Sequence, residues 1–427
     1  MEDTKLDLRA KEILRTNDRG GYTVPTAGLY PYQWNWDSAF VALGFAAFDI
    51  DRAWTEVESL LASQWPDGMV PHIIFQRIDD SYFPGPDQWG TTTSPPTSGI
   101  TQPPVAATIV RRLHDLEPAK GRRRAEAALV ALDRWHEWFA TARDPAGRGL
   151  VAIIHPWESG RDNLPDWDRP LSFVDTSKVG AYQRRDTQHV AADQRPHQHE
   201  YDRYLALVAF GRDNRWDPAA IAAGSPFWVA DVGVNAILLR AERDLAALAG
   251  ALGDSGIADR ATRRAERLED GLASLWSDAA GGYVSLDLRR EEHATTLSAG
   301  AFLPFYAGGV PADRAERLIP TLRHWLDAVR YGVPSFDPTD PQFDPIRYWR
   351  GPIWAVVNWM IAEGLANAGH ADLADRIRTD TRALIRRSGF YESFSPVDGR
   401  GCGGKDFSWT AAIWLAMTAP APVAAVA

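Results

Sequence analysis

Cysteine is almost missing from this chain: Cys402 is the single one in 427 residues, so no intrachain disulfide can form and no thiolate cluster can hold a metal. Long apolar runs are missing too. No uninterrupted stretch reaches the roughly 18 residues that a membrane span needs, and the opening MEDTKLDLRAKEILRTND has no apolar signal-peptide core. The expectation is a cytoplasmic protein with no membrane partner. Positive charge is also short. Against 56 acidic side chains stand 46 basic ones, a formal net charge of −10, and no Lys/Arg run forms a patch able to follow a phosphate backbone. Nucleic acid is thereby excluded as an expected partner. Strand-like alternation hardly occurs.

What is present is a globular composition, 45% hydrophobic and 24% charged, enough to bury a sizeable core. Helical patterning recurs from end to end and marks helices over 51–65, 120–143, 227–252, 258–277, 351–369 and 371–389. In the fourth of these, Leu268, Leu272, Leu275 and Trp276 share one face while Arg263, Arg264 and Glu266 fall on others. Gly389 after Arg386 and Arg387 suits a helix C-terminus. The fold class expected is all-α, and no break divides 1–427, so a single large closed domain is expected. Two tracts interrupt the helical rhythm, about 66–104 with eight prolines and about 144–200 rich in Asp, His and Pro. Long ordered loops in a compact helical protein are usually functional. The tail APAPVAAVA is expected to fray.

Aromatic residues are plentiful, with 18 Trp, 12 Tyr and 16 Phe, and many sit in polar, Gly/Pro-bearing loops. A planar ring there can serve as a platform for a sugar face. Four segments combine such rings with carboxylates. Tyr30 to Asp37 places Trp34, Trp36 and Asp37 at the mouth of a helix; Asp37 either caps it or takes paired sugar hydroxyls. The segment Pro156 to Asp168 crowds Glu158, Asp162, Asp166 and Asp168 into one loop, which raises the proton affinity of at least one, as a general acid requires. Both Glu158 and Asp162 are candidates for that acid. Tyr348 to Trp354 opens another helix, with Pro352 near its first turn. Glu392 lies between aromatics just before the Gly-rich loop 399–404, and is either a salt-bridge partner or a functional group, since an unpaired buried charge is costly.

Taken together these segments resemble the family 63 glycoside hydrolases, and within them the bacterial mannosylglycerate and glucosylglycerate hydrolases. The likeness runs from TAGLYPYQWNWDSAF through QWPDGMVPH, YFPGPDQW, SGITQPP, WESGRDN, YQRRDTQHV, RPHQHEYDRY and YWRGPIW to YESFSP. It implies an (α/α)6 barrel, no metal or other cofactor, and inverting hydrolysis of a small α-glycoside. The general acid would be Asp162 and the base Glu392, set roughly 6.5 to 9.5 Å apart to admit a water. Sugar contacts would fall on Tyr30, Trp34, Trp36, Asp37, His72, Tyr82, Gln102, Gly160, Tyr348, Trp349 and Trp354, with Trp89 beside them. A glyceryl carboxylate would meet Arg195 and Tyr201. Arg195 shares its tract with Arg184, Arg185 and His189, a local basic excess that either binds an anion or neutralises Asp186, Asp193 and Glu200. Arg161 and Leu164 depart from the Met and Ser of the family's acid loop, and Lys405-Asp406 has no clear counterpart in its acceptor-side loop. Other readings of the same residues are an exo-acting α-glucosidase or α-mannosidase on an oligosaccharide, and a carbohydrate-binding protein without turnover.

Overall fold

The computed structural model describes residues 2–418; the tail expected to fray lies outside them. Among the described residues the architecture rests on α1 (Glu2–Asn17), α2 (Asn35–Ala46), α3 (Ile50–Leu61), α4 (Ala106–Leu116), α5 (Pro118–Trp138), α6 (Val232–Leu252), α7 (Ser255–Ala273), α8 (Leu303–Ala307), α9 (Ala312–Ala328), α10 (Ala355–Asn367), α11 (Ala371–Ser388) and α12 (Ser408–Thr418). Even-numbered helices touch in sequence: α2 on α4, α4 on α6, α6 on α8, α8 on α10, α10 on α12, and α12 back on α2. Six helices thus close a ring. The odd-numbered ones lie outside it, α3 against α2, α5 against α4, α7 against α6, α11 against α10 and α1 against α12. On α9, Trp325 meets Phe302, the residue before α8, edge to face at 5.1 Å. This is the (α/α)6 barrel that the resemblance implies.

The layers follow from burial. Helix α2 is buried at every residue from Asn35 to Phe45, because ring neighbours, the outer layer and the lumen surround it. Past its first turn, from Ala39 to Ala46, its sequence is correspondingly apolar all round. Outer helix α7 buries one stripe, Ile257, Ala261, Ala265, Leu268, Gly271 and Leu272; Arg264, expected on another face, joins that stripe because Glu242 and Asp133 pair with it, and Leu275 and Trp276 lie beyond the helix end at Ala273. One continuous apolar cluster extends from Ala10 to Leu415. The ring closes where α2 meets α12, and there Gly44 is needed for close approach: a Cβ on it would stand 2.5 Å from the Ala412 Cα.

Several boundaries differ from the periodicity. Helix 351–369 starts at Ala355, because Ile353 exchanges backbone hydrogen bonds with Phe394 and the Pro352 carbonyl accepts from Ser335; Pro352 therefore precedes the first turn. Helix 227–252 starts at Val232, since Val229–Ala230 pairs with Ala152–Ile153 and Asp231 caps the helix. The segment 120–143 leaves the α-helix at Trp138 and ends in a π-helical turn, Phe139–Arg143. The Gly-rich loop 399–404 is largely a strand, Gly401–Lys405, antiparallel to Tyr391–Phe394. The second long tract ends as a helix, Gln198–Asp213. No helix among the described residues is long and apolar enough to cross a membrane.

Candidate active site

At one end of the ring a cavity opens between segments that precede or begin the inner helices. Trp34, Trp36 and Asp37 come from the start of α2, Gln102 from the approach to α4, Tyr348 from the approach to α10, and Phe407 and Trp409 from the start of α12. Asp162 and Glu392 both face it.

Asp162 is presented by a tightly held loop. The 3-10 turn Pro156–Ser159 closes on Gly160 in the left-handed region. The Arg161 carbonyl accepts from Trp167 Nε1 at 2.8 Å, the Asp162 carbonyl from the Tyr204 hydroxyl at 2.8 Å, and Asn163 Oδ1 from the Trp349 N–H at 2.9 Å. The neighbouring charges turn away. Arg161 binds Asp231, which caps α6 through the N–H groups of Gly233 and Val234. Glu158 is buried against Arg143 at 2.8 Å and lies off the cavity wall. Of the two candidate acids in this loop, Asp162 is therefore the one that reaches the cavity. Burial pushes its carboxyl up to about 7, with Arg195 opposing and the Glu392 charge reinforcing.

Glu392 stands on the strand Tyr391–Phe394. Its Oε2 accepts from the Gly404 N–H at 2.9 Å and its Oε1 from the Tyr30 hydroxyl at 2.9 Å, with Arg195 Nη1 at 3.7 Å. Burial raises its pKa, while Arg195, the Gly404 N–H and Tyr30 favour the ionised form. The hairpin partner must pass so close that Gly403, at φ +73°, would bring a Cβ within 2.1 Å of Glu392 Oε2. A glycine run is what such a cover requires.

Arg195 ties the site together. Its Nε donates to Asp186 at 3.1 Å, its Nη1 to the Tyr30 hydroxyl at 2.9 Å, and the guanidinium lies 4.2 Å from the centre of the Tyr348 ring. Asp186 is also held by Arg184 at 2.6 Å, and Glu200 faces Arg350 at 3.4 Å. The two readings of this basic tract meet in Arg195, which neutralises Asp186 and also lines the cavity. Tyr348 holds a left-handed backbone, φ +43°, a strained choice for a bulky residue; its hydroxyl lies 3.3 Å from that of Tyr30 and hydrogen-bonds Asp162.

Tyr30, Trp34, Trp36, Asp37, His72, Tyr82, Gln102, Gly160, Arg195, Tyr201 and Tyr348 all line the cavity. Burial holds the Asp37 carboxyl well above its ordinary range, with the Glu392 charge adding to it, and burial keeps His72 neutral. Trp89, Trp349 and Trp354 do not line it. Trp89 packs behind, tilted against Trp157 at 6.1 Å, and Trp349 and Trp354 stack on each other at 3.8 Å. These rings brace the wall. In their place stand Trp157, Phe407 and Trp409, with Arg185 and Asp186. Trp157 belongs to the same Gly/Pro-bearing motif as Asp162, and Trp409 follows the glycine run; a ring in a loop beside a carboxylate was the available signal for both. Among the described residues no group of three His, Cys, Asp or Glu side chains is placed to hold a metal ion.

Two carboxyls, one proton-retaining near neutrality and one held by donors, in an aromatic-walled cavity of an (α/α)6 barrel define a glycoside hydrolase. The comparisons with known proteins specify which. The model of the mannosylglycerate hydrolase MGH1-like glycoside hydrolase domain matches residues 30–410, and the chain belongs to that family. It is 48% identical to the mannosylglycerate hydrolase of Thermus thermophilus, over 96% of this chain and 100% of that one. With the glucosylglycerate hydrolase of Mycolicibacterium hassiacum it shares 36% identity over 96% and 97% of the two chains. The crystal structure of a family 63 mannosylglycerate hydrolase from Thermus thermophilus, in complex with Tris and D-glycerate, superposes with a TM-score of 0.94 at 48% identity, over 97% of this chain and 100% of that one.

Proposed function

We propose that the chain hydrolyses a small α-glycoside of glycerate, 2-O-α-mannosylglycerate or 2-O-α-glucosylglycerate, with inversion at the anomeric carbon. Asp162 is the general acid and Glu392 the general base. The observation that carries this reading is the pairing of a carboxyl that keeps its proton up to about 7 with a second carboxyl ringed by Tyr30, the Gly404 N–H and Arg195. The relatives named for both glycosylglycerates support the substrate class.

In this mechanism Asp162 delivers its proton to the glycosidic oxygen as the bond to the anomeric carbon breaks. Glu392, ionised, takes a proton from a water on the opposite face, and that water's oxygen bonds to the carbon. Asp37, whose proton affinity burial raises, presents its two oxygens to a pair of sugar hydroxyls. The aglycone carboxylate lies toward Arg195 and Tyr201, the cationic wall of the cavity.

Incubation with both glycosylglycerates, with their uncharged glycosylglycerol counterparts and with α-linked oligosaccharides tests the substrate class. Faster turnover of the oligosaccharides than of either glycosylglycerate would overturn it. Proton NMR of the first sugar released is expected to show the β anomer. The α anomer appearing first would sink the inverting mechanism.

A further inference from the structure

Glu158 has no place in the mechanism above, yet it is among the most heavily bonded carboxylates in the molecule. Its Oε1 accepts from the Thr101 N–H at 3.1 Å and from Arg143 Nη2 at 2.8 Å, and its Oε2 accepts from the Ile154 N–H at 2.7 Å. Both members of the ion pair are buried, Arg143 at 2% exposure and Glu158 at 1%. Three segments meet on this one side chain, and two of them lead into the site. Thr101 adjoins Gln102, which lines the cavity and accepts from the Trp36 N–H at 3.3 Å. Ile154 follows the strand that leads into the acid loop. Arg143 ends the π-helical turn Phe139–Arg143, with its guanidinium 4.5 Å from the centre of the Trp138 ring.

A π-helical turn is rare and is frequently found at functional sites. A buried ion pair adds little stability over a well-packed apolar pair of the same volume. What Glu158 does supply is direction, because its two oxygens accept from donors on three segments, Arg143 Nη2 and the Thr101 N–H at Oε1 and the Ile154 N–H at Oε2, which fixes the carboxylate's angle as well as its distance. Glu158 also sits four positions before Asp162, with only Ser159, Gly160 and Arg161 between them.

We propose that Glu158, locked by Arg143, is a positioning residue for the general acid. It pins the loop Pro156 to Asn163 against the Gln102 segment, so that the Asp162 carboxyl and the sugar-binding wall keep one fixed relation. This rests on the assignment of Asp162 as the acid.

The test separates the acid's work from the rest of catalysis by changing the leaving group. Fluoride leaves an α-glycosyl fluoride without protonation as water bonds to the anomeric carbon, so this hydrolysis needs Glu392 but not Asp162. Glu158→Gln is expected to lower kcat on the glycosylglycerate by about 100-fold, the scale of an ångström-size misplacement, with KM little changed and the fluoride still turned over near the parent rate. Arg143→Lys keeps the charge but moves the single donor that reaches Glu158 Oε1, and should show the same pattern more weakly; it carries the test if Glu158→Gln does not fold. The double variant should be no worse than Glu158→Gln alone. Equal losses on both substrates, or no loss on either, would overturn the proposal. Asp162→Asn run in parallel should keep fluoride activity. Loss of that activity would overturn the acid assignment itself, whereas its survival beside an even loss in Glu158→Gln would sink the positioning role alone.

Discussion

A carboxyl buried as Asp162 is keeps its proton up to about 7 in the folded chain, whereas in the unfolded chain it ionises near 3.8. Between those values the folded state holds the extra proton, so the stability linked to it is fully present below 3.8 and is lost as pH rises through 7. Asparagine has the shape of the protonated form and no charge to bury. Asp162→Asn should therefore melt with the parent at about pH 4 and above it at about pH 8, by an amount on the order of a few kcal/mol. Thermal melts at the two pH values decide this, and an equal difference at both would mean that the carboxyl is not desolvated. The same titration governs catalysis in the same direction, because the acid works only while it holds its proton. The rate constant kcat/KM for a glycosylglycerate should fall on the alkaline side as Asp162 loses its proton, with a midpoint near 7. With a glycosyl fluoride that limb should be absent, and a persistent alkaline limb would assign it to another group.

At the scale of elements, the hairpin 391–405 shows how much of the site the sequence makes legible. Glu392 stands out because a carboxylate between Phe390, Tyr391 and Phe394 has to be paired or used. The strand opposite it does not, because Gly401 to Gly404 has the composition of a loop, and only the approach of its backbone to Glu392 makes it a strand. Among helices the same contrast holds. Outer helices α7 and α11 announce themselves through one apolar stripe. Inner helix α12 is buried from Ser408 to Leu415 and has no polar face to set a period. Helix α9 runs unbroken through Pro320, a residue that reads in the sequence as a helix end. In the site, rings that brace the wall and rings that form it share one sequence signature, which is why Trp349 and Trp354 are indistinguishable from Trp34 and Trp36 before folding. The hairpin also carries a sharp expectation. Gly403→Ala combines a Cβ overlapping Glu392 Oε2 with a left-handed backbone, which costs about 1 kcal/mol of strain and displaces the base. Its kcat should drop about 100-fold on glycosylglycerate and fluoride alike, since both need Glu392, while the melting temperature falls by only a few degrees. Retained activity on either substrate would show that the hairpin yields without moving the base.

At the scale of the whole molecule, the ring is closed by joining the two ends of the chain. Asn17 Nδ2 donates to Ser408 Oγ at 2.9 Å and to the Asp406 carbonyl at 3.0 Å, Ser408 Oγ donates to the Val24 carbonyl at 2.8 Å, and Thr26 Oγ1 donates to the Lys405 carbonyl at 2.7 Å. This polar seam runs beside the catalytic hairpin, so closure of the barrel and placement of Glu392 depend on the same few contacts. Its apolar continuation is the approach of Gly44 on α2 to Ala412 on α12. A side chain at Gly44 must push two inner helices apart, and overpacking of this kind costs about 1–3 kcal/mol. Gly250 on α6 is exposed, with nothing within 4 Å of where a Cβ would stand, and alanine there should gain about 0.5–1 kcal/mol from helix propensity and a less flexible unfolded chain. Gly44→Ala and Gly250→Ala are thus the same substitution with opposite expected signs. Denaturant midpoints should move down for the first and up for the second, and only Gly44→Ala should lose turnover, because the wedge sits on the seam that carries the base. Stabilisation by Gly44→Ala, or lost activity in Gly250→Ala with its fold intact, would break the link drawn between ring closure and the site.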